Sequence, residues 1–436
     1  MKRFTWLLIA LLFTGLLVAC GSTAKAPDLT DVTSYYVRAD GNDRNAGTSE
    51  DVPFKTLAKA LDAASKTSLK KITVIGTLVG QTSTERLPPN IQKKTVKKLD
   101  GNPEDIARVM ANQIGVVELE GSYDEKHPYE ILITGKPDAV ETEKARLTSN
   151  TDYVLVILNN VIRLENIEIS GHRGKAVIAV LGGELTLGKG VKITQNKGDT
   201  VVGINTSNSI LIMRDDAEVS YNEGAEGAGI ALENGSVGIL LDNALVTHNK
   251  TASSGGGILV DGSTLIMKDN ATVSNNSASE VGGGIMTFYP KKNGYISQIT
   301  IADNATVTNN SADVGGGIAL FGARLIMKNN ATVSNNNARG AGCGIITYTA
   351  TEIGEVSRIT ITDNAAVIKN SAGTGGGIYL QDKLILEGNA RITENTASAR
   401  GGGIIGPNTA SVEKGKNVIL ENNQAPAVPD SIWRFE

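Results

Sequence analysis

The chain has 436 residues, with 42 Lys and Arg against 46 Asp and Glu, for a formal net charge of −4. This mildly acidic balance disfavours a nucleic-acid partner, and the length is ample for a large hydrophobic core. Aromatic residues make up only 4% of the chain, which leaves few platforms for a long carbohydrate cleft.

Residues 1–20 have the pattern of a secretory signal, in which two basic residues precede the apolar run 6–18. The run ends in Leu-x-Ala-Cys at Cys20, which resembles the lipobox of bacterial lipoproteins. The resemblance implies cleavage before Cys20, a lipid on its thiol and a membrane anchor. The alternative is an ordinary signal peptide with an incidental cysteine. Residues 21–33 are small and polar and predict a flexible tether. No aspartate follows Cys20, which favours the outer membrane.

Residues 34–80 predict a cap of one strand and one helix at the N-terminal end of the fold. Its apolar residues recur at i, i+3, i+4 and i+7, which gives a helix one buried face. They are Leu57, Ala60, Leu61 and Ala64. The stretch 35–64, with its Tyr-Tyr-Val, Asn-Ala-Gly-Thr and Pro-Phe-Lys-Thr-Leu phrases, resembles the N-terminal module of secreted β-helix proteins. That resemblance implies that the strand and the helix close the open end of a solenoid.

The same stretch contains Asp40, Asp43 and Asn45, whose oxygens suit calcium. A solvated Gly/Asn turn is the alternative, and the one we favour. Further along, residues 71–79 predict a strand. Residues 81–114 predict an insertion, with a short helix after Asn102, and residues 115–436 predict the repeats.

The repeats consist of a β-branched or aliphatic residue followed three positions later by asparagine, at intervals of 25 to 34 residues, a period typical of solenoids. The asparagines are Asn196, Asn222, Asn249, Asn276, Asn310, Asn336, Asn370, Asn395 and Asn423. Between most of them, glycines precede an isoleucine. These isoleucines are Ile230, Ile258, Ile285, Ile318, Ile345, Ile378 and Ile404.

One repeat runs from Gly255 to Asn276, and its apolar runs of three to five residues are bounded by turn formers. Such runs are too short for helices and suit strands. Three strands per turn, stacked about 4.8 Å apart, would build a parallel β-helix, right-handed like other parallel crossover connections. The predicted fold class is therefore all-β: a right-handed parallel β-helix (solenoid) with an N-terminal capping helix.

This register predicts that like residues stack on one another. The valines and the isoleucines form inward columns, and Met213, Met267 and Met327 share another with Ile301, Ile361 and Leu386. The asparagines are predicted to form a structural ladder at a tight corner, because Asn tolerates left-handed backbone and its amide can bond the Asn above and below. The glycine triplets predict further corners.

A second resemblance is carried by Val273-x-x-Asn276-x-Ala278 and the matching phrases after Val307 and Val333. These resemble the repeats of polymorphic outer-membrane proteins, with valine in place of phenylalanine. The resemblance implies a surface adhesin. Those proteins end in a membrane barrel, whereas this chain stops soon after its last coil. A lipid at Cys20 would supply the anchor instead.

Many exported β-helices are polysaccharide lyases or glycosidases. Gly171-His172 and Asp215-Asp216 resemble the motifs of polygalacturonases, but they occur here in inverted order. His172 also aligns with the asparagine column, which favours a structural role. We therefore assign no catalytic residue.

Two other features have structural interpretations. Cys343 replaces the middle glycine of a triplet, and we expect a small packed residue and not a reactive thiol. One repeat position carries an acidic series, which predicts exposed Asp-x turns or, alternatively, a calcium-bound stripe. The series is Asp215, Asp242, Asp269, Asp303 and Asp363, with Asn329 and Gly388 at the same position.

Two repeats carry seven extra residues between the isoleucine and the following alanine. They are two coils apart, so the insertions should project side by side, about 10 Å apart. Insertions of repeat proteins often map to the binding face, and aromatics with lysines suit glycan or protein contact. The candidate binding residues are Phe288, Tyr289, Lys291, Lys292, Tyr295 and Tyr348.

The sequence thus predicts a lipid-anchored protein of the bacterial cell envelope that acts in adhesion or interaction with glycan or protein ligands. No cofactor is assigned, with calcium as the alternative. A polysaccharide lyase or glycoside hydrolase is the second hypothesis. A structural or antigenic surface protein with no specific ligand is the third.

Overall fold

The computed structural model describes residues 34–67, 69–80, 131–158, 160–290, 295–349, 356–426 and 432–435. Several predictions concern positions outside these ranges and are not tested by the structure. They are the signal sequence 1–20 with Cys20, the tether up to residue 33, the insertion 81–114, and Lys291 and Lys292.

The described strands form four parallel sheets, which we name sheets I to IV in the order in which each coil visits them. Sheet I comprises Tyr35–Arg38, Lys71–Ile75, Ile131–Gly135, Val161–Glu165, Glu184–Leu187, Ile210–Met213, Val237–Leu240, Thr264–Met267, Gln298–Ile301, Arg324–Met327, Arg358–Ile361, Lys383–Leu386 and Ser411–Lys414. Sheet II comprises Thr77–Gly80, Ala145–Ser149, Ile167–Ser170, Lys192–Thr194, Glu218–Ser220, Leu245–Thr247, Thr272–Ser274, Thr306–Thr308, Thr332–Ser334, Ala366–Ile368, Arg391–Thr393 and Ile419–Glu421.

The other two sheets close each coil. Sheet III comprises Arg173–Gly174, Lys197–Gly198, Glu223–Gly224, Lys250–Thr251, Ser277–Ala278, Ser311–Ala312, Asn337–Ala338, Ser371–Thr374 and Thr396–Arg400. Sheet IV comprises Leu155–Leu158, Ile178–Leu181, Ile204–Ser207, Ile230–Glu233, Ile258–Asp261, Ile285–Thr287, Ile318–Phe321, Ile345–Tyr348, Ile378–Tyr379, Ile404–Pro407 and Ile432–Phe435.

The architecture is a right-handed parallel β-helix of about 10 turns, which confirms the predicted fold class. Most of the described coils contribute one strand to every sheet and therefore have four strands where the repeat predicted three. The additional strand is short, such as Ser277–Ala278, and follows the ladder asparagine directly. Similarly, the predicted strand 71–79 is two strands, because Gly76 turns the chain with a φ of 69°.

The core is built of stacked columns, as the repeat predicted. Val246 lies in register with Val273, and Val273 with Val307. Met267 lies between Leu240 and Ile301 in the methionine column. These side chains are buried in one continuous core that runs the length of the described coils. Burying each such aliphatic side chain contributes roughly 1.5–3 kcal/mol before ordering entropy. Each coil covers the core residues of the next coil, so the stability of the solenoid depends on the contacts between neighbouring coils.

The corner between sheets II and III holds the predicted asparagine ladder. Each Nδ2 donates to the Oδ1 of the asparagine in the following coil, at 2.9–3.1 Å, from Asn196 through Asn423. The ladder residues are buried. The predicted backbone geometry is wrong in one respect: the left-handed residue is the one before each asparagine, for example Asn275 with a φ of 55°. The turn therefore precedes the ladder residue, whose side chain points inward.

The glycine triplets form the corner between sheets III and IV. The first glycine has left-handed backbone, as Gly255 does with a φ of 74°. The third glycine is required for a different reason. A β-carbon on Gly257 would lie 2.5 Å from the carbonyl oxygen of Gly284 and 2.9 Å from Nδ2 of Asn276. The third glycine thus lets the chain approach the ladder closely.

The predicted helix is Leu57–Lys66, and a short 3₁₀ helix spans Glu141–Glu143. Thr56 caps the longer helix, because its hydroxyl accepts a hydrogen bond from the backbone N–H of Lys59. Ala60, Leu61 and Ala64 are buried against the first strands of sheet I, as the periodicity predicted. None of the described helices combines the length and the apolar character needed to cross a bilayer.

Candidate functional site

The outer surface of sheet IV is apolar over three successive coils. Ile285, Ile318 and Ile345 point into the core, so the next residue of each strand points outward. These outward residues, Met286, Ala319 and Ile346, form a second hydrophobic cluster together with Phe321. Partly buried side chains complete it: Val281, Val314, Ala341, Tyr348 and Tyr379. We name this cluster and the rings of Phe288 and Tyr289 the aromatic face.

Three rings of the aromatic face are in contact across three coils. Phe321 and Tyr348 are in register, and their rings stack with centroids 4.5 Å apart and planes 8° apart. Tyr289 meets Phe321 edge to face, at 4.7 Å and 71°. Such aromatic pairs contribute about 0.5–1.5 kcal/mol beyond the area they bury. Phe321 is buried between the other two rings, whereas Tyr289 remains 47% exposed.

The phenols of this face are partly withdrawn from water. Burial raises the pKa of Tyr348, and the nearby phenols of Tyr289 and Tyr379 raise it further. Burial also raises the pKa of Tyr379. Both side chains therefore remain neutral hydrogen-bonding groups at physiological pH, on an otherwise apolar surface.

The structure brings together only part of the predicted binding site. Both insertions leave the corner between sheets IV and I, with one uninserted coil between them. Phe288 is 41% exposed beside Tyr289. Tyr295 lies elsewhere, over the corner of the two preceding coils, where its ring is 3.4 Å from the β-carbon position of Gly235.

Phe321 is the residue of this site that sequence reasoning missed. It lies on the uninserted coil and joins the rings contributed by the two inserted coils. A signal was present, because Phe321 and Tyr348 both stand three residues after an isoleucine of the repeat. Because side chains alternate along a strand, a residue three positions after an inward isoleucine points outward. Two such residues in adjacent coils are therefore neighbours on the outer surface.

The acidic series lies at the corner between sheets I and II. Each member described there has left-handed backbone, for example Asp242 with a φ of 52°. From Asp242 onward, the carboxylate of each aspartate in the series accepts a hydrogen bond from the backbone N–H at the same position one coil earlier, as Asp242 does from Asp215 at 3.0 Å. The left-handed backbone matches the predicted turn, whereas the carboxylates form hydrogen bonds between coils.

A further ladder, which the sequence analysis did not predict, runs beside this acidic series. It is exposed, and its amides bond at 3.2–3.5 Å. Its members are Asn243, Asn270, Asn304, Asn330, Asn364 and Asn389.

His172 occupies the first position of the buried asparagine ladder. Its backbone N–H donates to Oδ1 of Asn196 at 3.0 Å, as a ladder asparagine would. The ring is fully buried, with Nδ1 3.0 Å from the carbonyl oxygen of Ser149 and Nε2 without a hydrogen-bond partner. This placement matches the structural role expected from the alignment.

Cys343 is a packed core residue. Its thiol donates to the carbonyl oxygen of Asn336 and packs against Ala338 and Ala372. Burial raises the pKa of this thiol to about 12, which leaves it protonated and unreactive at neutral pH.

The three candidate calcium ligands near the N-terminus have protein partners. Asp40 pairs with Arg38 at 2.5 Å. Asp43 accepts hydrogen bonds from Lys55 and Thr56 at the start of the helix, and Asn45 donates to the carbonyl oxygen of Pro53. Within the described ranges, no group of three or more His, Cys, Asp or Glu side chains is arranged to hold a metal ion.

Comparison with family models, curated proteins and solved structures found no match to this chain.

Proposed function

We propose that this protein is a lipid-anchored interaction scaffold of the bacterial cell envelope, and that its aromatic face binds a protein partner. The contact between Tyr289, Phe321 and Tyr348 carries the proposal. Three rings from three coils form a platform that a rigid solenoid holds in place. Rigid aromatic side chains lose little conformational entropy on binding, which makes them good anchors.

The composition of the face favours a protein over a glycan. Met286, Ile346 and Val314 surround the rings, and apolar residues of this kind with Tyr and Phe are enriched at the centres of protein interfaces. A glycan site would need a row of hydrogen-bonding side chains, because sugar hydroxyls lose their water on binding. A glycan ligand is therefore the alternative outcome of the test.

Beads that carry residues 21–436 provide the test, through their adhesion to intact bacterial and animal cells. We expect Tyr289→Ala combined with Tyr348→Ala to weaken adhesion at least about tenfold, the effect of losing roughly 1.4 kcal/mol. Tyr221→Ala is the matched control, because Tyr221 is 54% exposed but stacks on His248 at a different corner. Equal adhesion by the double variant and the unaltered protein would refute the proposal.

Treatment of the target cells separates the two ligand classes. Protease treatment should abolish adhesion if the ligand is a protein, and periodate oxidation of glycans should leave it intact. The reverse pattern would assign the face to a glycan.

The lipid anchor is tested separately. We propose that Cys20 carries the lipid, as the lipobox resemblance implies. Cells grown with an alkyne-labelled fatty acid should label the protein, and Cys20→Ser should lose the label. Retention of the label by Cys20→Ser would contradict the assignment.

A further inference from the structure

Asp382 joins the two ends of the second insertion. The hydroxyl of Thr349, the first residue after the strand Ile345–Tyr348, donates to Oδ1 of Asp382 at 2.5 Å. The backbone N–H of Ser357, just before the next strand, donates to Oδ2 at 2.8 Å. One carboxylate therefore holds both sides of the insertion, from the coil that follows. Asp382 is only 9% exposed, so both bonds are shielded from water.

Neighbouring contacts fix the same region. The backbone N–H of Thr349 donates to Oε1 of Gln381 at 3.2 Å, and the N–H of Gln381 donates to the hydroxyl of Thr347 at 2.7 Å. The hydroxyl of Ser357 donates to the carbonyl oxygen of Tyr348 at 3.1 Å. The backbone of Tyr348 thus lies between two hydrogen-bonded neighbours.

Asp382 stands at a position of the repeat that is usually occupied by serine. The residue before each sheet I strand is a serine in most of the coils with four strands, and this serine accepts a single backbone N–H from the preceding coil. Ser236 accepts from Ser209 in this way, and Ser263 accepts from Ser236. A serine offers one oxygen, whereas a carboxylate offers two, each able to accept a separate donor. Asp382 stands in the coil directly after the second insertion, where two donors must be satisfied.

The first insertion lacks this arrangement. The corresponding residue of its following coil is Ala323, which has no side-chain acceptor. Its end is held instead by Tyr295, which packs on Gly262 and Gly235 of the preceding coils. The bond from the following coil to both ends of the insertion is therefore particular to the second insertion.

We propose that Asp382 is a positioning residue that ties Thr349 to Ser357 and so holds the ring of Tyr348 against Phe321. Its role in ligand binding rests on the proposed function of the aromatic face. Its role in placing Tyr348 does not.

The first measurement follows the phenol of Tyr348. Absorbance titration at alkaline pH, taken as the difference between each protein and its Tyr348→Phe counterpart, isolates this group. Asp382→Ala should lower the pKa of Tyr348 towards its ordinary value, because a displaced ring gains solvent. Thr349→Val removes only one donor and should shift it in the same direction by less. Asp363→Ala, an exposed aspartate of the acidic series, is the matched control and should cause no shift.

The second measurement is adhesion of the coated beads, which should fall about fivefold for Asp382→Ala. An unchanged Tyr348 titration in both Asp382→Ala and Thr349→Val would overturn the inference. If Asp382→Ala does not fold, the Tyr348 titration of Thr349→Val alone tests the inference. A shifted titration with unchanged adhesion would support the positioning role of Asp382 and would refute the proposed function of the face.

Discussion

Asn276 and Asn310 are 34 residues apart in the chain, yet Nδ2 of Asn276 donates to Oδ1 of Asn310 at 3.0 Å. The same Nδ2 also donates to the carbonyl oxygen of Val246, one coil back. A single buried amide therefore connects three consecutive coils. The insertion of seven residues within this interval does not disturb the ladder, because the extra residues leave the coil at another corner.

Replacement of Asn276 tests the ladder. Asn276→Ala removes the acceptor of the Asn249 backbone N–H and the donor to Val246. Buried polar groups without partners cost about 1–3 kcal/mol each, so we expect a loss of about 3–5 kcal/mol in the free energy of unfolding. Urea denaturation measures it. Asn270→Ala, in the exposed ladder, is the control and should change stability by less than about 0.5 kcal/mol. Equal effects would show that the buried ladder is dispensable.

Conversion of His172 to asparagine should extend the ladder by one position. The new amide would donate to Oδ1 of Asn196 and replace a ring whose Nε2 is buried without a partner. We expect His172→Asn to raise the free energy of unfolding by about 1 kcal/mol. His248→Asn, at an exposed corner, should stay within about 0.5 kcal/mol. Thermal and urea unfolding measure both variants. A marked destabilisation by His172→Asn would mean that the packing of the ring outweighs its unsatisfied nitrogen.

The close approach at the glycine triplets predicts different tolerance at two glycines. Gly257→Ala places a β-carbon 2.5 Å from a backbone oxygen, so we expect a loss of about 2–4 kcal/mol. Gly188→Ala is the control, because the nearest atom to its β-carbon is 3.4 Å away, on the side chain of Glu165. It should be neutral or slightly stabilising, since alanine restricts the unfolded chain. Similar losses at both positions would argue against steric exclusion at Gly257.

The buried thiol of Cys343 predicts a loss of stability at alkaline pH. The folded state keeps the thiol protonated up to a pKa of about 12, whereas the unfolded state ionises near the ordinary thiol value of 9.0. The stabilisation is therefore complete below pH 9 and is lost between pH 9 and pH 12, at about 1.4 kcal/mol per pH unit.

Cys343→Ala lacks the thiol but keeps the tyrosines and lysines that also titrate at alkaline pH. The difference in the free energy of unfolding between the two proteins therefore reports the thiol alone. The free energy of unfolding of the two proteins should converge or cross as the pH rises through this range. Parallel pH profiles would contradict the assignment. In a Cys20→Ser background, the thiol should also react with a disulfide reagent only after unfolding.

The fold could be predicted from the repeat because each coil packs directly on the next. A residue at a fixed offset, such as Val273, must then meet its counterparts above and below. The stacked methionines, the glycine corners and the ladder position of His172 follow from the same argument. The number of strands per coil could not be predicted, because a two-residue strand such as Ser277–Ala278 has no apolar alternation of its own. Nor could the left-handed position be assigned to the residue before each ladder asparagine, because that residue varies from Asn275 to His248 and Lys369, whereas asparagine itself tolerates this backbone.

The sequence by itself determined the parallel β-helix, its stacked core, and the corner from which both insertions leave. These features follow from the regular spacing of the repeat in the sequence. Only the tertiary structure decided that Phe321 joins Tyr289 to Tyr348, that Tyr295 turns towards Gly235, and that Asp382 holds the second insertion. Such contacts lie outside the core and depend on the path of each irregular segment, which is set by packing and hydrogen bonds between coils and not by periodicity.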